Sequence, residues 1–187
     1  MKLVFLLEEE SMKRTLEGVL PRLLPEDVKH QLISHEGIGD LEVSIPRKLR
    51  GWREPDVHFI IVRDQERHPD CKAVKARLVE ICGQAGRADS LVRIVCRSLE
   101  SWFLADLAAV ERGLGTKNIS RHQGRADCRA PDAVIAPQET LKKLAPTYQK
   151  LSGARAIGPH LDLENTRSES FRIFIEGLRR IATKQTA

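Results

Sequence analysis

With 187 residues, 41% of them hydrophobic, the chain is long enough for one domain with its own core. A net charge of +5 favours an anionic partner, although an ordinary basic surface explains net charge alone better. No run approaches the ~20 apolar residues of a membrane helix, and the short apolar N-terminus meets three glutamates, so we expect neither membrane span nor signal peptide. The four cysteines lack metal-site spacing, which predicts reduced thiols in a soluble cytoplasmic protein.

Four segments have the character of β-strands. Met1–Leu7, Val57–Arg63 and Leu91–Cys96 are continuous apolar runs, as expected for buried strands. Val28–Ser34 alternates loosely between polar and apolar residues, which predicts a strand at one edge of the sheet.

Helical patterns separate these segments. Apolar spacing predicts a helix capped by Ser11 and ended by Pro25, and further helices over Pro69–Cys82 and Leu99–Leu114. The segment Asp40–Arg50 is ambiguous. Because strands and helices alternate, we expect an α/β fold with a parallel or mostly parallel sheet covered by helices on both faces.

The regular apolar periodicity of the sequence ends near Gly115. Gly115–Pro137 and Ser152–Asn165 have little periodicity and are expected as loops, with a short helix over Pro137–Leu151 between them. We therefore expect a single domain with a core at 1–114 and a C-terminal elaboration at 115–187. Disorder is expected only in loops and in the tail Lys184–Ala187.

The last helix is predicted from an apolar stripe that begins at Phe171. Thr166 and Glu169 have the spacing of a capping box at its start. The stripe either packs on the sheet or forms a homodimer face, and packing is the commoner outcome.

Acidic residues follow the apolar strands. Glu8 follows the first strand, and Asp64 and Glu66 follow Val57–Arg63. The two acids of the Asp64–Glu66 pair project to one side if the backbone is extended. Parallel strands bring such ends to one edge, where clustered carboxylates repel each other unless protons or a divalent cation lie among them. This predicts a Mg²⁺ or Mn²⁺ site and suggests phosphodiester chemistry.

The alternative is that these acids simply begin solvated helices. We prefer that interpretation for Glu9 and Glu10. For Glu8 with Asp64 and Glu66, the joint placement favours a functional site.

A basic segment lies between the second and third predicted strands. Ile45–Glu54 (IPRKLRGWRE) contains Trp52 and four cations: Arg47, Lys48, Arg50 and Arg53. It either binds nucleic-acid phosphates while Trp52 stacks on a base, or it is a solvated loop with Trp52 in the core. For the four cations the two interpretations are equally well supported. For Trp52 we prefer the interpretation that it lies in the core. Arg63 and Arg97 adjoin the acidic edge and can either hold a phosphate or pair with carboxylates.

These patterns carry a resemblance to a known family. An apolar strand ending in Glu and a later strand followed by Asp-x-acid resemble the Toprim domain of topoisomerases, primases and overcoming-lysogenization-defect nucleases. The chain is closer still to the Toprim-like family called domain of unknown function 4276. The matching stretches include LLEEESMKRTLEGVLPRLLP, FIIVRDQERHPDC, VRIVCRSLESWFLADLAAVE and GARAIGPHLDLENTRSESF.

The resemblance implies a Mg²⁺- or Mn²⁺-dependent nuclease acting on DNA or RNA. In it, Glu8 is the first acid, Asp64 and Glu66 form the acid pair, and Glu100 is a further candidate. It also implies an ATPase partner of the ABC/SMC type, often in antiphage defence. Two departures, Glu9 in place of the usual Gly and Glu66 in place of Asp, keep a second reading open. In that reading the chain is a catalytically degenerate module that docks an ATPase or nucleic acid.

Overall fold

Four parallel strands form the central sheet of the computed structural model, which describes residues 1–183. They are β1 (Lys2–Leu7), β2 (Lys29–Ser34), β3 (Val57–Asp64) and β4 (Leu91–Val95), in the order β2-β1-β3-β4. All three pairings are parallel. The sequence therefore predicted each strand to within about two residues, a usual boundary error. The tail Lys184–Ala187, expected to be disordered, lies outside the described residues.

Helices cover both faces of the sheet, as predicted. The helices are α1 (Glu10–Leu23), α2 (Ile38–Gly51), α3 (Cys71–Gln84), α4 (Glu100–Leu104), α5 (Leu107–Leu114), α6 (Ala126–Arg129), α7 (Pro137–Leu144), α8 (Lys150–Ile157) and α9 (Glu169–Thr183). Short 3-10 turns lie at Ser120–Gly124, Pro131–Ala133 and Gly158–His160. No helix within residues 1–183 is long and apolar enough to cross a membrane.

Alternation along the strands produces two apolar layers. On β1, Leu3, Phe5 and Leu7 pack into a large cluster with residues of α1, α4, α5, α8 and α9. Val4 and Leu6 point the other way, into a smaller cluster with α2 and α3. Because all five side chains are fully buried, β1 is the centre of the core. Its neighbours β2 and β3 both pair with it in parallel, so the C-terminal ends of the three strands lie at one edge of the sheet.

The C-terminal part contains more helix than the sequence predicted. The predicted loop Ser152–Asn165 is largely α8 and a 3-10 turn. Its glycines signalled a loop, but they serve close packing instead. A Cβ at Gly153 would meet the Tyr148 ring at 2.5 Å, and one at Gly158 would meet the Thr15 carbonyl oxygen at 2.5 Å. Small residues at such contacts let helices approach each other, which single-sequence periodicity cannot reveal.

Two further boundaries differ from the prediction. The helix predicted over Leu99–Leu114 divides at Asp106, whose Oδ1 accepts a hydrogen bond from the Ala109 N–H at 3.0 Å and caps α5. At the start of α9, the capping oxygen belongs to Ser168, which accepts from the Phe171 N–H at 3.1 Å. The capping box expected at Thr166 was wrong because the helix begins later. The predicted packing of α9 in the core is confirmed, since Phe174 and Leu178 are fully buried.

Candidate metal and phosphate site

The first carboxylate of the site comes from the end of β1. Glu8 directly follows Leu7, and its N–H donates to the Val62 carbonyl oxygen at 3.2 Å, which extends the pairing of β1 with β3 by one residue. Its side chain is only 6% exposed. Glu8 Oε2 accepts a hydrogen bond from the Asp64 N–H at 3.0 Å. The sheet register therefore brings Glu8 against the end of β3.

Asp64 is the last residue of β3 and is more deeply buried than Glu8. It is 3% exposed, and its Oδ2 accepts from the Leu99 N–H at 3.2 Å. Its second oxygen, Oδ1, is buried without a hydrogen-bond partner in residues 1–183. A buried carboxylate oxygen left without a partner is costly. Asp64 therefore presents an unsatisfied hard oxygen ligand at the strand end.

Glu100 supplies a further carboxylate at the start of α4. It is 1% exposed, and both of its oxygens accept hydrogen bonds, from the Ser98 hydroxyl at 2.7 Å and the Tyr148 hydroxyl at 3.0 Å. Its negative charge acts on Asp64 and helps to raise the pKa of that carboxyl. The structure thus brings Glu100 into the same acidic cluster.

Glu9 joins the cluster as well, contrary to the interpretation as a solvated helix start. Its Oε2 accepts from the Lys150 ammonium at 2.5 Å, and its charge raises the pKa of both Glu8 and Asp64. Glu10 instead lies on the surface of α1, in ion pairs with Lys13 and Arg14. The Glu9 backbone is still extended and α1 begins only at Glu10, so Glu9 points back toward the strand ends.

Tyr148 and Lys150 were missed by the sequence analysis. Tyr148 is fully buried beside Glu100, and Lys150 is the first residue of α8. Both are separated from their acidic partners by at least 48 residues of sequence. A single tyrosine or lysine in a helical region has no local signal for such a contact, so only the fold reveals it.

The backbone conformation that places Glu66 near the site differs from the predicted one. We expected extended backbone from Asp64 to Glu66, but Glu66 is in the left-handed region with φ of 56°. Its N–H donates to the Arg97 carbonyl oxygen at 2.8 Å, which fixes this turn. The exposed side chain lines a cavity of about 180 Å³ together with Glu100 and Lys150, and its charge helps to raise the pKa of Glu8. The alternation argument was therefore wrong, although Glu66 still faces the cluster.

Burial and repulsion keep protons on this cluster. Burial raises the pKa of Glu8 from 4.5 to about 7; Glu66 and Glu9 act in the same direction, while the Asp64 N–H and Arg63 oppose it. Burial, followed by the charges of Glu8, Glu9 and Glu100, holds the pKa of Asp64 well above its usual value. The pKa of Tyr148 is also raised, first by burial and then by Glu100, so its hydroxyl remains a donor.

Lys150 balances the cluster only in part. Burial acts to lower the pKa of its ammonium, but the hydrogen bond and charge of Glu9, with the charges of Glu100 and Asp64, outweigh burial and raise it. Lys150 therefore stays cationic. One ammonium does not neutralise four carboxylates, and raised carboxyl pKa values are the expected result.

The two arginines near this edge have different environments. Arg63 is 7% exposed and donates to Glu42 Oε1 at 3.0 Å, with Glu8 Oε2 at 3.9 Å. It therefore pairs with carboxylates, and phosphate binding by Arg63 stays a prediction. Arg97 has φ of 63°, lines the cavity, and its Nε is buried without a hydrogen-bond partner in residues 1–183. Arg97 is therefore the better placed of the two for an anionic ligand.

The basic segment lies away from the carboxylates. Much of it is helical, because α2 runs to Gly51, so the loop interpretation was wrong. The helix has 14 residues and starts beside the C-terminal ends of the strands, so its last turn lies about 20 Å away, at the other edge. Arg50 there donates to the Gln84 carbonyl oxygen at 3.1 Å. Lys48, Arg50 and Arg53 therefore cannot hold a phosphate at the acidic cluster, and Arg47 is exposed on α2 between the two edges.

Trp52 is partly buried and packs against the smaller apolar cluster, in line with the preferred interpretation. It packs edge-on against Phe59 with ring centroids 5.6 Å apart. Its indole N–H donates to Glu54 at 3.0 Å, and the Lys2 ammonium lies 5.3 Å from its ring centroid. These contacts occupy the ring, so base stacking on Trp52 has no support.

The acidic cluster is suited to a hard divalent cation but is not a complete cage. Within residues 1–183, no three His, Cys, Asp or Glu side chains are grouped closely enough to hold a metal by themselves. Mg²⁺ commonly takes only one or two carboxylates, and waters and substrate phosphates complete its shell. The unpartnered Asp64 Oδ1 and the neighbouring Glu8 fit that pattern.

Comparisons with known proteins identify the family and the fold. The family model described as Domain of unknown function (DUF4276) matches residues 7–179. No curated protein matches the chain. The solved structure of the C-terminal region of the Burkholderia pseudomallei OLD protein is similar, with a TM-score of 0.55 and 17% sequence identity over 96% of this chain and 98% of that one. The predicted Toprim-like α/β fold is confirmed, and the chain belongs to the DUF4276 family.

Proposed function

We propose that this protein is a metal-dependent nuclease of the Toprim type. The observation that carries the proposal is the buried, partner-lacking Oδ1 of Asp64, surrounded by the charges of Glu8, Glu9 and Glu100. A fold has no structural use for several carboxylates repelling each other at a buried strand end. A divalent cation offsets that repulsion, because it replaces the protons that otherwise remain on the acids.

Asp64 and Glu8 are the proposed metal ligands, and Glu66 lines the adjoining cavity together with Glu100. A bound Mg²⁺ or Mn²⁺ supplies charge neutralisation at a phosphate and a more acidic water. Tyr148 and Ser98 orient the Glu100 carboxylate through their hydroxyls. A carboxylate held in this way can accept a proton from water.

Cations that line the cavity complete the proposed site. Arg67, Arg97 and Lys150 line it together with Glu66 and Glu100. Guanidinium and ammonium groups neutralise phosphate oxygens, and this arrangement suits one phosphodiester between metal ligands and cations. The proposed substrate is DNA or RNA, and the fold offers no basis for choosing between them. The proposed partner is an ABC/SMC-type ATPase encoded nearby, in antiphage defence.

The second candidate is a catalytically degenerate Toprim-like module that docks an ATPase or nucleic acid. Its support is the 2.5 Å contact between Lys150 and Glu9, because the ammonium provides a built-in counter-ion where the family resemblance expects glycine. In that case the cluster needs no metal. The two candidates therefore differ in whether Mn²⁺ acts on the protein at all.

A nuclease assay distinguishes them. The wild-type protein, with and without the ATPase encoded beside it, is incubated with plasmid DNA and with RNA in Mg²⁺, in Mn²⁺ and in a chelator. We expect cleavage only with metal, and a loss of about a hundredfold or more in Asp64→Asn, the scale at which removing one charge-stabilising group acts. The control is Asp56→Asn, which changes an exposed acid at the other sheet edge and should cleave normally. Cleavage that survives Asp64→Asn, or that needs no metal, would overturn the site assignment.

A further inference from the structure

A groove runs along β4, on the side of the sheet away from β3. Its floor is formed by β4 and its walls by α3 and α9, and its volume is about 360 Å³. Val92, Ile94 and Ile173 give it an apolar lining. Cys71 and Cys96 line it as free thiols. The groove is separate from the acidic cavity, since no residue lines both.

Part of the β4 backbone faces this groove. β4 is an edge strand, and within residues 1–183 no strand pairs with its outer side. The Val95 carbonyl oxygen accepts from the Gln65 N–H at 2.8 Å, so it points toward β3. Because backbone groups alternate in direction along a strand, those of Val92 and Ile94 point outward. Val92 is buried and its carbonyl oxygen already accepts from the Arg93 guanidinium at 2.9 Å, so the groups that face the groove are those of Ile94.

Arg93 is a buried cation beside this edge. It is 7% exposed, and in residues 1–183 no carboxylate forms an ion pair with it. Its Nε donates to the Ile173 carbonyl oxygen at 3.2 Å. A Cβ at Gly177 would meet Arg93 Nη2 at 2.5 Å, so the absence of a side chain at 177 makes room for the guanidinium. A charge removed from water in this way is destabilising unless an anion accompanies it.

The charge around the groove has one predominant sign. Arg93, Lys72 and Lys75 line it, against the single carboxylate of Glu169. A second copy of the chain pairing through β4 would bring these cations against their equivalents, which disfavours a symmetric dimer here. An acidic ligand has the complementary charge.

We propose that this groove binds an extended, acidic segment of a partner polypeptide, which adds to β4 as a fifth strand and places a carboxylate on Arg93. Main-chain hydrogen bonds to Ile94 hold the segment, and alternate side chains distinguish it from other extended chains. Apolar side chains of the segment contact Val92 and Ile94 on the α3 side, while acidic ones face Arg93 on the α9 side. The groove thus serves protein docking, independently of the carboxylate cavity.

The probe is a peptide of alternating valine and glutamate with blocked ends, and its valine–lysine counterpart is the control. Each is added at millimolar concentration to isotopically labelled full-length protein, and amide exchange and chemical shifts are followed by NMR. We expect the glutamate peptide to slow exchange at Ile94 and the lysine peptide to have no effect. Equal binding of both peptides, or of neither, would overturn the proposal.

The protein's own cysteines provide a second readout. Cys71 and Cys96 are partly exposed in the groove, whereas Cys82 and Cys128 are buried. Burial raises the pKa of the Cys96 thiol to about 12, so Cys71 is the reporter. The glutamate peptide should slow iodoacetamide labelling of Cys71 in the native protein, as measured by mass spectrometry. Labelling that is unchanged while the peptide binds would locate the peptide elsewhere and contradict the groove.

Three variants test the contacts. Arg93→Met should weaken peptide binding about tenfold or more, since charge-assisted hydrogen bonds are the strong ones. Ile94→Pro removes an outward N–H without removing a bond to β3, and it should also weaken binding. Lys75→Glu changes only an exposed charge, so it keeps the test valid if Arg93→Met fails to fold. Full affinity in folded Ile94→Pro and Lys75→Glu would overturn the proposal, as would self-association of the wild type that Ile94→Pro abolishes.

Discussion

At the C-terminal edge of the sheet, Glu8, Asp64 and Glu100 are almost fully buried, whereas the acids at the N-terminal edge, Glu54 and Asp56, are exposed and paired. Glu54 contacts the Lys2 ammonium at 2.7 Å, and Asp56 contacts the N-terminal ammonium at 3.0 Å. Each of these two acids has a cation of its own. At the buried edge the carboxylates outnumber the cations among them.

The two edges of the sheet therefore differ in what their charges do for the folded protein. Exposed pairs contribute little to stability and impose no strain. Buried like charges destabilise the folded protein at neutral pH and are retained only where they have a use, such as binding a cation or substrate. The buried edge is therefore the end of the sheet at which we propose the functional site, and the following experiments measure how far the two edges differ.

The largest expected effect is on the pH dependence of stability. Because the pKa of Glu8 is raised from 4.5 to about 7, folding favours its protonated form. This contribution is complete below pH 4.5 and is lost as the pH rises to about 7. Glu8→Gln cannot lose a proton, so at about pH 8 its free energy of unfolding should exceed that of the wild type by up to about 3 kcal/mol.

Urea unfolding across this pH range, without metal, measures the effect. The variant and the wild type should converge near pH 4, where Glu8 is protonated in both folded and unfolded chains. Glu54→Gln is the matched control at the other edge, and its stability should not gain at high pH. Equal stability of Glu8→Gln and the wild type at about pH 8 would contradict a strained acidic edge.

The next effect is the linkage between metal and folding. A cation that binds only the folded protein stabilises it by about 1.4 kcal/mol at ten times its Kd. Mn²⁺ should therefore raise the melting temperature, a chelator should reverse the rise, and Asp64→Asn should abolish it. Asp56→Asn should retain it. A rise that persists in Asp64→Asn would move the metal to another site.

The strands and their acids could be predicted because their signals are local. Leu3–Leu7 is a continuous apolar run, and a buried parallel strand is the simplest structure that satisfies it. Once the strands are parallel, Glu8 and Asp64 must emerge at the same edge. The prediction needed no knowledge of distant contacts.

Other parts of the site depend on contacts that no local pattern encodes. Lys150 reaches Glu9 across 141 residues of sequence, and Tyr148 reaches Glu100 across 48. Glu66 turns into the left-handed region because its N–H bonds to Arg97, a residue from the next strand–helix connection. The position of the basic segment could not be predicted for the same reason, since its distance from the acids depends on the direction of α2.

The smallest expected effect is on the salt dependence of nucleic-acid binding, compared between Arg97→Gln and Arg53→Gln. Arg97 lines the acidic cavity with an unpartnered Nε, and Arg53 is exposed beyond the far end of α2. If substrate phosphates occupy the cavity, Arg97→Gln should lower the slope of log affinity against log salt by about one unit, because one phosphate contact is lost. Arg53→Gln should leave the slope unchanged. Both are measured with a labelled oligonucleotide in chelator, so that cleavage does not interfere. A lower slope in Arg53→Gln with an unchanged slope in Arg97→Gln would instead locate the nucleic acid along α2, and the comparison between the two edges would no longer describe where substrate binds.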